Sequence, residues 1–283
     1  MAKAHGRDAD GAPIYFCIWC GSRRNLTREH VLAKKWRKHL GDAASPRVVS
    51  GWQLDLASLQ PIAIDETTPR QGSFTWTVSH LVCGPCNNGW MSRLEDAVEP
   101  LLFQAAMGHE VTLDAEQQAI LLNWLAKTAI VMEFMDDQPK TFEPWLLDWM
   151  RPQFENTVPL PGFVSTVTPL SVSRESIMRS TPFARMRLAP LKGLEVVSTV
   201  RVATVQLGAF GLTTLYASDS DTWSAMTSTQ VMSLLEDSLL AAGQPLLTVR
   251  REDPMPAHDH LDRHTRIAFE ARRSLERASW PRT

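Results

Sequence analysis

"CGPCNNGWMSRLE", residues 83–95, sets two thiols, two amides and the onset of helical spacing side by side. Its thiol pair, Cys83 and Cys86, has a counterpart in "CIWC" at Cys17 and Cys20, and these four are the only cysteines in the chain. A C-x-x-C pair can pinch a zinc ion from one turn, and two such pairs complete the tetrahedral thiolate shell of a structural site. Gly21 and Gly84, next to the thiols, supply the tight backbone a knuckle needs. Four cysteines are too few for a disulfide scaffold, and neither pair opens a helix in the βαβ setting of a redox motif. The spacing therefore predicts structural Zn²⁺ on Cys17, Cys20, Cys83 and Cys86, with a long insertion between the pairs. Such a zinc is coordinatively closed, so any catalysis must come from other residues held nearby.

The candidates lie between the knuckles, in "RRNLTREHVLAKKW", residues 23–36. Glu29 and His30 are an adjacent acid and base, surrounded by Arg23, Arg24, Arg28, Lys34 and Lys35. Arginine and lysine in this density offer contacts to phosphates, which position a nucleic acid without reading its sequence. An imidazole with an ordinary pKa of about 6.5 is mostly neutral at physiological pH and suits a general base. The bland alternative is a surface histidine beside a helix start, and for Asn87 and Asn88 it is turn chemistry in Asn-Asn-Gly.

Taken together, a C-x-x-C pair, an acid-His pair and a second C-x-x-C followed at once by Asn resemble the HNH endonucleases of the ββα-metal type with a zinc-ribbon support. The resemblance covers about residues 14–102. It implies His30 as general base, Glu29 as a ligand of one divalent cation, Mg²⁺ or Mn²⁺, and Asn87 or Asn88 as a further ligand. It implies DNA as the substrate, with RNA left open, and a setting such as restriction or phage defence. Two departures stand out. The middle Asn of the family would fall on Val78, with His80 the nearest substitute, and the proline that often follows the first motif is Ala33.

Net charge is −2, so any nucleic acid must be met by a local basic surface and not by the field of the whole molecule. The N-terminus lacks a signal-peptide pattern and no apolar run reaches bilayer length, so the expectation is a cytoplasmic protein with no membrane partner.

The fold expected is α+β: a zinc-stapled ββα-metal module over 1–108, with an inserted loop at about 40–72, then a mixed α+β domain over 109–283. Asp114 and Gln117 form a capping box ahead of apolar positions at helical spacing through Met135. Residues 143–150 suggest a short helix ending before Pro152, and Val196 to Tyr216 read as a hairpin turning at Gly208 to Gly211. Ser92 and Glu95 make a second capping pattern, implying a helix start at Met91 or Ser92, whereas the family geometry wants helix near Asn87. Gly89 is expected to permit a close backbone approach. Trp36 and Trp52 are candidate substrate contacts, and Arg263, Arg266, Arg272, Arg273 and Arg277 a candidate DNA face. The cluster His258, His260 and His264 reads as a solvated helix start. Two other readings stand beside the nuclease: a non-catalytic zinc-ribbon protein that binds nucleic acid, and a sensor or effector whose C-terminal domain controls the nuclease. A homo-oligomer or a regulatory ligand bound through that domain stays open.

Overall fold

The computed structural model describes residues 10, 12–33, 35–36, 77–134, 141–142, 144–156, 158, 163–170, 177–189 and 193–217. It also describes 6–7, 47–48, 53–54, 61–62, 239–240, 246–249, 263, 266–267 and 270. Strands β1 (Gly6–Arg7) and β2 (Pro13–Ile14) pair antiparallel ahead of the first knuckle. Beyond that knuckle Asn25 adopts φ +54°, which turns the chain into β3 (Leu26–His30). Of the expected insertion, the described parts are β4 (Arg47–Val48), β5 (Gln53–Leu54) and β6 (Pro61–Ile62), the last two paired with each other. Trp52 lies outside the described residues.

β7 (Thr77–Cys83) returns antiparallel to β3, with His30 opposite Thr77 and Leu26 opposite Cys83. Thr27 pairs with Val82 but Arg28 pairs with Ser79, so His80 and Leu81 form a bulge on β7. His80 takes φ +57° there, a left-handed conformation that histidine tolerates better than most residues. The backbone N–H of Ile18 donates to the Leu81 carbonyl at 3.1 Å, so the bulge holds the first knuckle against the ladder.

Helical backbone follows at once: α1 (Gly84–Cys86), a π-turn over Asn87–Met91, then α2 (Ser92–Ala106). The start suggested by Ser92 and Glu95 matches α2, which begins at Ser92, but helical backbone already leads into it from Gly84 across a kink at Gly89, and the capping box is not made. Met91 already has helical φ and ψ and makes no side-chain cap, while Glu95 turns inward to Lys127. Gly89 breaks the π-turn with φ −94° and ψ −111°, yet a Cβ added there would meet nothing within 4 Å. Close approach to the facing strand is thus not its reason.

β8 (Val111–Asp114) leads into α3 (Ala115–Glu133), whose Asp114–Gln117 capping box is present in both directions. α4 (Pro144–Glu155) runs through Pro152, past the stop expected from sequence. The proline removes one N–H, and the carbonyl it leaves belongs to Asp148, an exposed residue that water can serve.

The stretch before residue 190 yields β9 (Phe163–Pro169) and β10 (Ile177–Ala189). β11 (Gly193–Leu207) and β12 (Phe210–Ala217) form the expected hairpin, with longer strands than the sequence suggested. With β13 (Leu239–Leu240) and the edge strand β4 they make a six-stranded sheet of order β13-β9-β12-β11-β10-β4. Only β4 is parallel to its neighbour, so the insertion between the knuckles reaches the far edge of the C-terminal sheet. β14 (Leu246–Val249) pairs with β8.

α3 packs against α2 and against strands β9 to β12. That position buries it all round, so it carries Leu121, Trp124, Leu125, Ile130 and Val131 where a surface helix would carry polar residues. One cluster of buried apolar residues runs from Cys17 through Trp90, Val98 and Trp124 to Tyr216, crossing Gly108 without interruption. The chain is a mixed α+β protein whose thiol-bearing part shares its core with the following part. Among the described residues no helix is long and apolar enough to cross a membrane.

Candidate functional site

The four thiols meet because each knuckle closes locally and the β3–β7 ladder brings the two together. In the first, Gly21 N–H donates to Cys17 O at 2.8 Å and Cys17 N–H to Ser22 O at 2.8 Å, with Gly21 at φ +67°. In the second, the N–H of Gly84 donates to Asn25 O at 2.8 Å, locking the helix start to the turn before β3. The sulfurs of Cys17, Cys20, Cys83 and Cys86 lie within 4.8 Å of one another, and Cys20 Sγ is 3.6 Å from Cys83 Sγ. A disulfide would need about 2.05 Å. Tetrahedral zinc with Zn–S near 2.3 Å sets neighbouring sulfurs about 3.8 Å apart. The donor set fits one ion such as zinc.

The protonation pattern agrees with a cluster that shares few charges. Hydrogen bonding from Cys86 lowers the Cys17 thiol to about 5, burial pushes Cys20 up to about 11, and the Cys17 partner drives Cys86 above the thiol range. One thiolate forms easily, and a bound dication would have to displace the remaining protons.

α4 covers this cluster. Phe154 stacks on Trp90 at 5.1 Å and meets Trp19 edge-on at 5.4 Å, and Trp19 meets Trp90 edge-on at 5.2 Å. Arg151, on the same helix, stands near enough to Cys86 for its charge and the thiol to interact. Burial lowers its pKa, but Glu155 and then Cys86 outweigh burial and raise it. No feature of residues 1–108 pointed to Arg151. Its only sequence signal was a lone cation in an apolar helix.

His30 ends β3, partly exposed, and Glu29 beside it is 4% exposed. Strand alternation sends the two side chains to opposite faces. Glu29 faces Lys127, with Oε1 3.8 Å from Nζ, and Lys127 also binds Glu95 Oε1 at 2.5 Å. Burial raises Glu29 to about 7, against a smaller lowering by Lys127.

Asn87 is the asparagine that turns to the strand: its Nδ2 donates to Thr27 Oγ1 at 3.1 Å and to the Arg28 carbonyl at 3.3 Å. With the nitrogen engaged, Oδ1 is the atom it has left for a cation. Asn88 is exposed.

Arg23, Arg24 and Arg28 are exposed around this strand. Lys35 instead binds Asp96 Oδ1 and Glu99 Oε2, each at 2.8 Å. Burial opposes its charge, but these two partners leave its pKa above the ordinary lysine value. Lys34 lies outside the described residues. Val78 is buried opposite Glu29, and exposed His80 packs its ring on Tyr15 at 5.2 Å. Trp36 is fully buried, and Arg263 is buried with its guanidinium on Thr168 at 3.4 Å, so neither offers a surface. Of the other C-terminal arginines Arg266 is exposed, and Arg272, Arg273, Arg277, His258, His260 and His264 lie outside the described residues.

No family model, curated protein or solved structure matches the chain. Four cysteines placed to hold a metal such as zinc stand beside strand-strand-helix elements in an α+β chain.

Proposed function

We propose that the chain is an HNH-type endonuclease that hydrolyses phosphodiester bonds in DNA with one divalent cation, Mg²⁺ or Mn²⁺. The observation that carries this reading is Asn87: the first residue after the second thiol knuckle bonds the strand that ends in His30. A base on a strand and an amide oxygen on the following helix, joined by a metal-stapled turn, is the division of labour such a nuclease needs.

In this reading neutral His30 takes the proton from the attacking water. Arg23, Arg24 and Arg28 hold the phosphodiester backbone. The oxygen donors that suit a hard cation are Asn87 Oδ1 and the phosphate itself. When bound, the cation supplies charge stabilisation to the transition state and the departing oxygen. Glu29, engaged by Lys127, is given no contact with it. Restriction or phage defence is a setting that fits such an enzyme and rests on the resemblance alone.

Supercoiled plasmid incubated with the full chain and Mg²⁺ or Mn²⁺ is expected to be nicked, and His30→Ala to abolish nicking while zinc content and melting stay unchanged. Failure of the wild type to cut DNA or RNA sinks the reading. The burial of Glu29 favours one alternative, a non-catalytic zinc-ribbon protein that binds nucleic acid. It predicts DNA binding without cleavage, indifferent to His30→Ala.

A further inference from the structure

We propose that Lys127 is a positioning residue for His30, a clamp from the second half of the chain that fixes the His30 strand against the Asn87 helix. Its kinetic consequence rests on the nuclease reading, and its geometry does not.

Lys127 is 0% exposed in the middle of α3. A lysine charge so placed is tolerated only beside opposite charge. Its two partners come from two different elements. Glu95 stands on α2, about one turn beyond the π-turn that carries Asn87. Glu29 stands on β3, immediately before His30. A link therefore runs from Lys127 Nζ through the Glu29 side chain to the strand backbone that continues into His30, and a branch runs to the helix.

The ladder alone leaves that point weakly held. Among the described residues β3 pairs only with β7, and His30 makes the last pair of that ladder. Because Glu29 and His30 alternate, turning Glu29 out to solvent would rotate His30 toward the core face. Without Lys127, two carboxylates are buried together with no cation between them. Either Glu29 takes up a proton or it turns out to solvent, and in both cases the charged link that holds the strand end to α3 is lost.

The test uses the full chain with zinc bound. Lys127→Met and the milder Glu95→Gln are compared with Arg201→Met, which removes a second buried cation that pairs with Glu133, at the far end of α3, at 3.7 Å. Two readouts are taken: the imidazole NMR signals of His30, assigned by their loss in His30→Ala, and plasmid nicking separated into kcat and KM. Lys127→Met should move the His30 signals, leave those of His109 in place, and lower kcat by about 100-fold with KM little changed, as a misplaced base would. Glu95→Gln should move the same signals less, and Arg201→Met should lower stability without moving them. If Lys127→Met does not fold, Glu95→Gln decides. His30 signals that stay at wild-type positions in every folded variant, or that move equally in Arg201→Met, overturn the proposal. A wild type that cuts neither DNA nor RNA overturns the nuclease reading, while the His30 signals still judge the clamp.

Discussion

The N–H of Ala209 donates to the carbonyl of Ala106 at 2.9 Å, and a Cβ on neighbouring Gly208 would stand 2.4 Å from that same oxygen. The turn between β11 and β12 is thereby seated on the last turn of α2, where helix carbonyls lack intrahelical partners. Gly208 also holds φ +59°. Gly208→Ala meets both the strained backbone and the clash with a backbone atom that cannot swing aside. It should cost at least about 2 kcal/mol in urea unfolding. A loss under about 0.5 kcal/mol, the size of an ordinary surface substitution, would show that the turn is not seated there.

Local signals made the capping box at Asp114, the hairpin at Gly208 and the two knuckles legible, because each is decided by residues a few positions apart. The Ser92–Glu95 pattern marked the start of α2 but not the cap it implied, for the opposite reason. Glu95 has the right spacing to cap Ser92, but a buried lysine 32 residues away holds its carboxylate. Glu29 and His30 read as one acid-base pair in sequence, and only the strand assignment separates them onto two faces. The strands β9 and β10 stayed hidden because proline and polar residues interrupt their apolar alternation, and pairing with β11 and β12 supplies what the pattern lacks. Lys127 was visible as a single charge within "NWLAKTAIVME", yet its partners come from elements that the sequence had assigned to another domain.

Zinc bound by four thiolates carries a net negative charge, and Arg151 beside Cys86 offsets part of it. Arg151→Met should therefore weaken zinc binding by about 10- to 100-fold in a competition titration with a chromogenic chelator, the usual weight of such outer contacts. Cys83→Ser removes a ligand from the point where β7 passes into α1, and should abolish stoichiometric zinc together with the sharp melting of the thiol-bearing part. A sharp transition retained without zinc would refute the staple.

Asn123 is 0% exposed on α3, and neither its Oδ1 nor its Nδ2 has a hydrogen-bond partner. A buried amide without partners carries its full desolvation cost, and leucine has nearly the same size. Asn123→Leu should stabilise the protein by about 1 to 3 kcal/mol in denaturant unfolding. Destabilisation would mean that the amide is satisfied by internal water, which a protected exchange signal for its side-chain protons would reveal.

The Glu29 carboxyl gives a pH signature whose sign follows from burial. Its pKa rises from 4.5 unfolded to about 7 folded, because desolvation outweighs the attraction of Lys127 and Glu95 adds repulsion. The folded state thus holds this proton more tightly than the unfolded state, so the contribution is fully present below 4.5 and is lost as pH rises through about 7. Glu29→Gln keeps the shape and removes the titration. Relative to wild type, the variant should gain stability between about pH 5 and pH 8, by up to roughly 3 kcal/mol, since each pKa unit is worth about 1.4 kcal/mol. Lys127 keeps Glu95 as partner in the variant, so the gain is not consumed by an unpaired lysine. Urea midpoints across that range decide the matter. A difference between variant and wild type that stays flat with pH would show that Glu29 is already ionised in the fold and that Lys127, not burial, sets its charge.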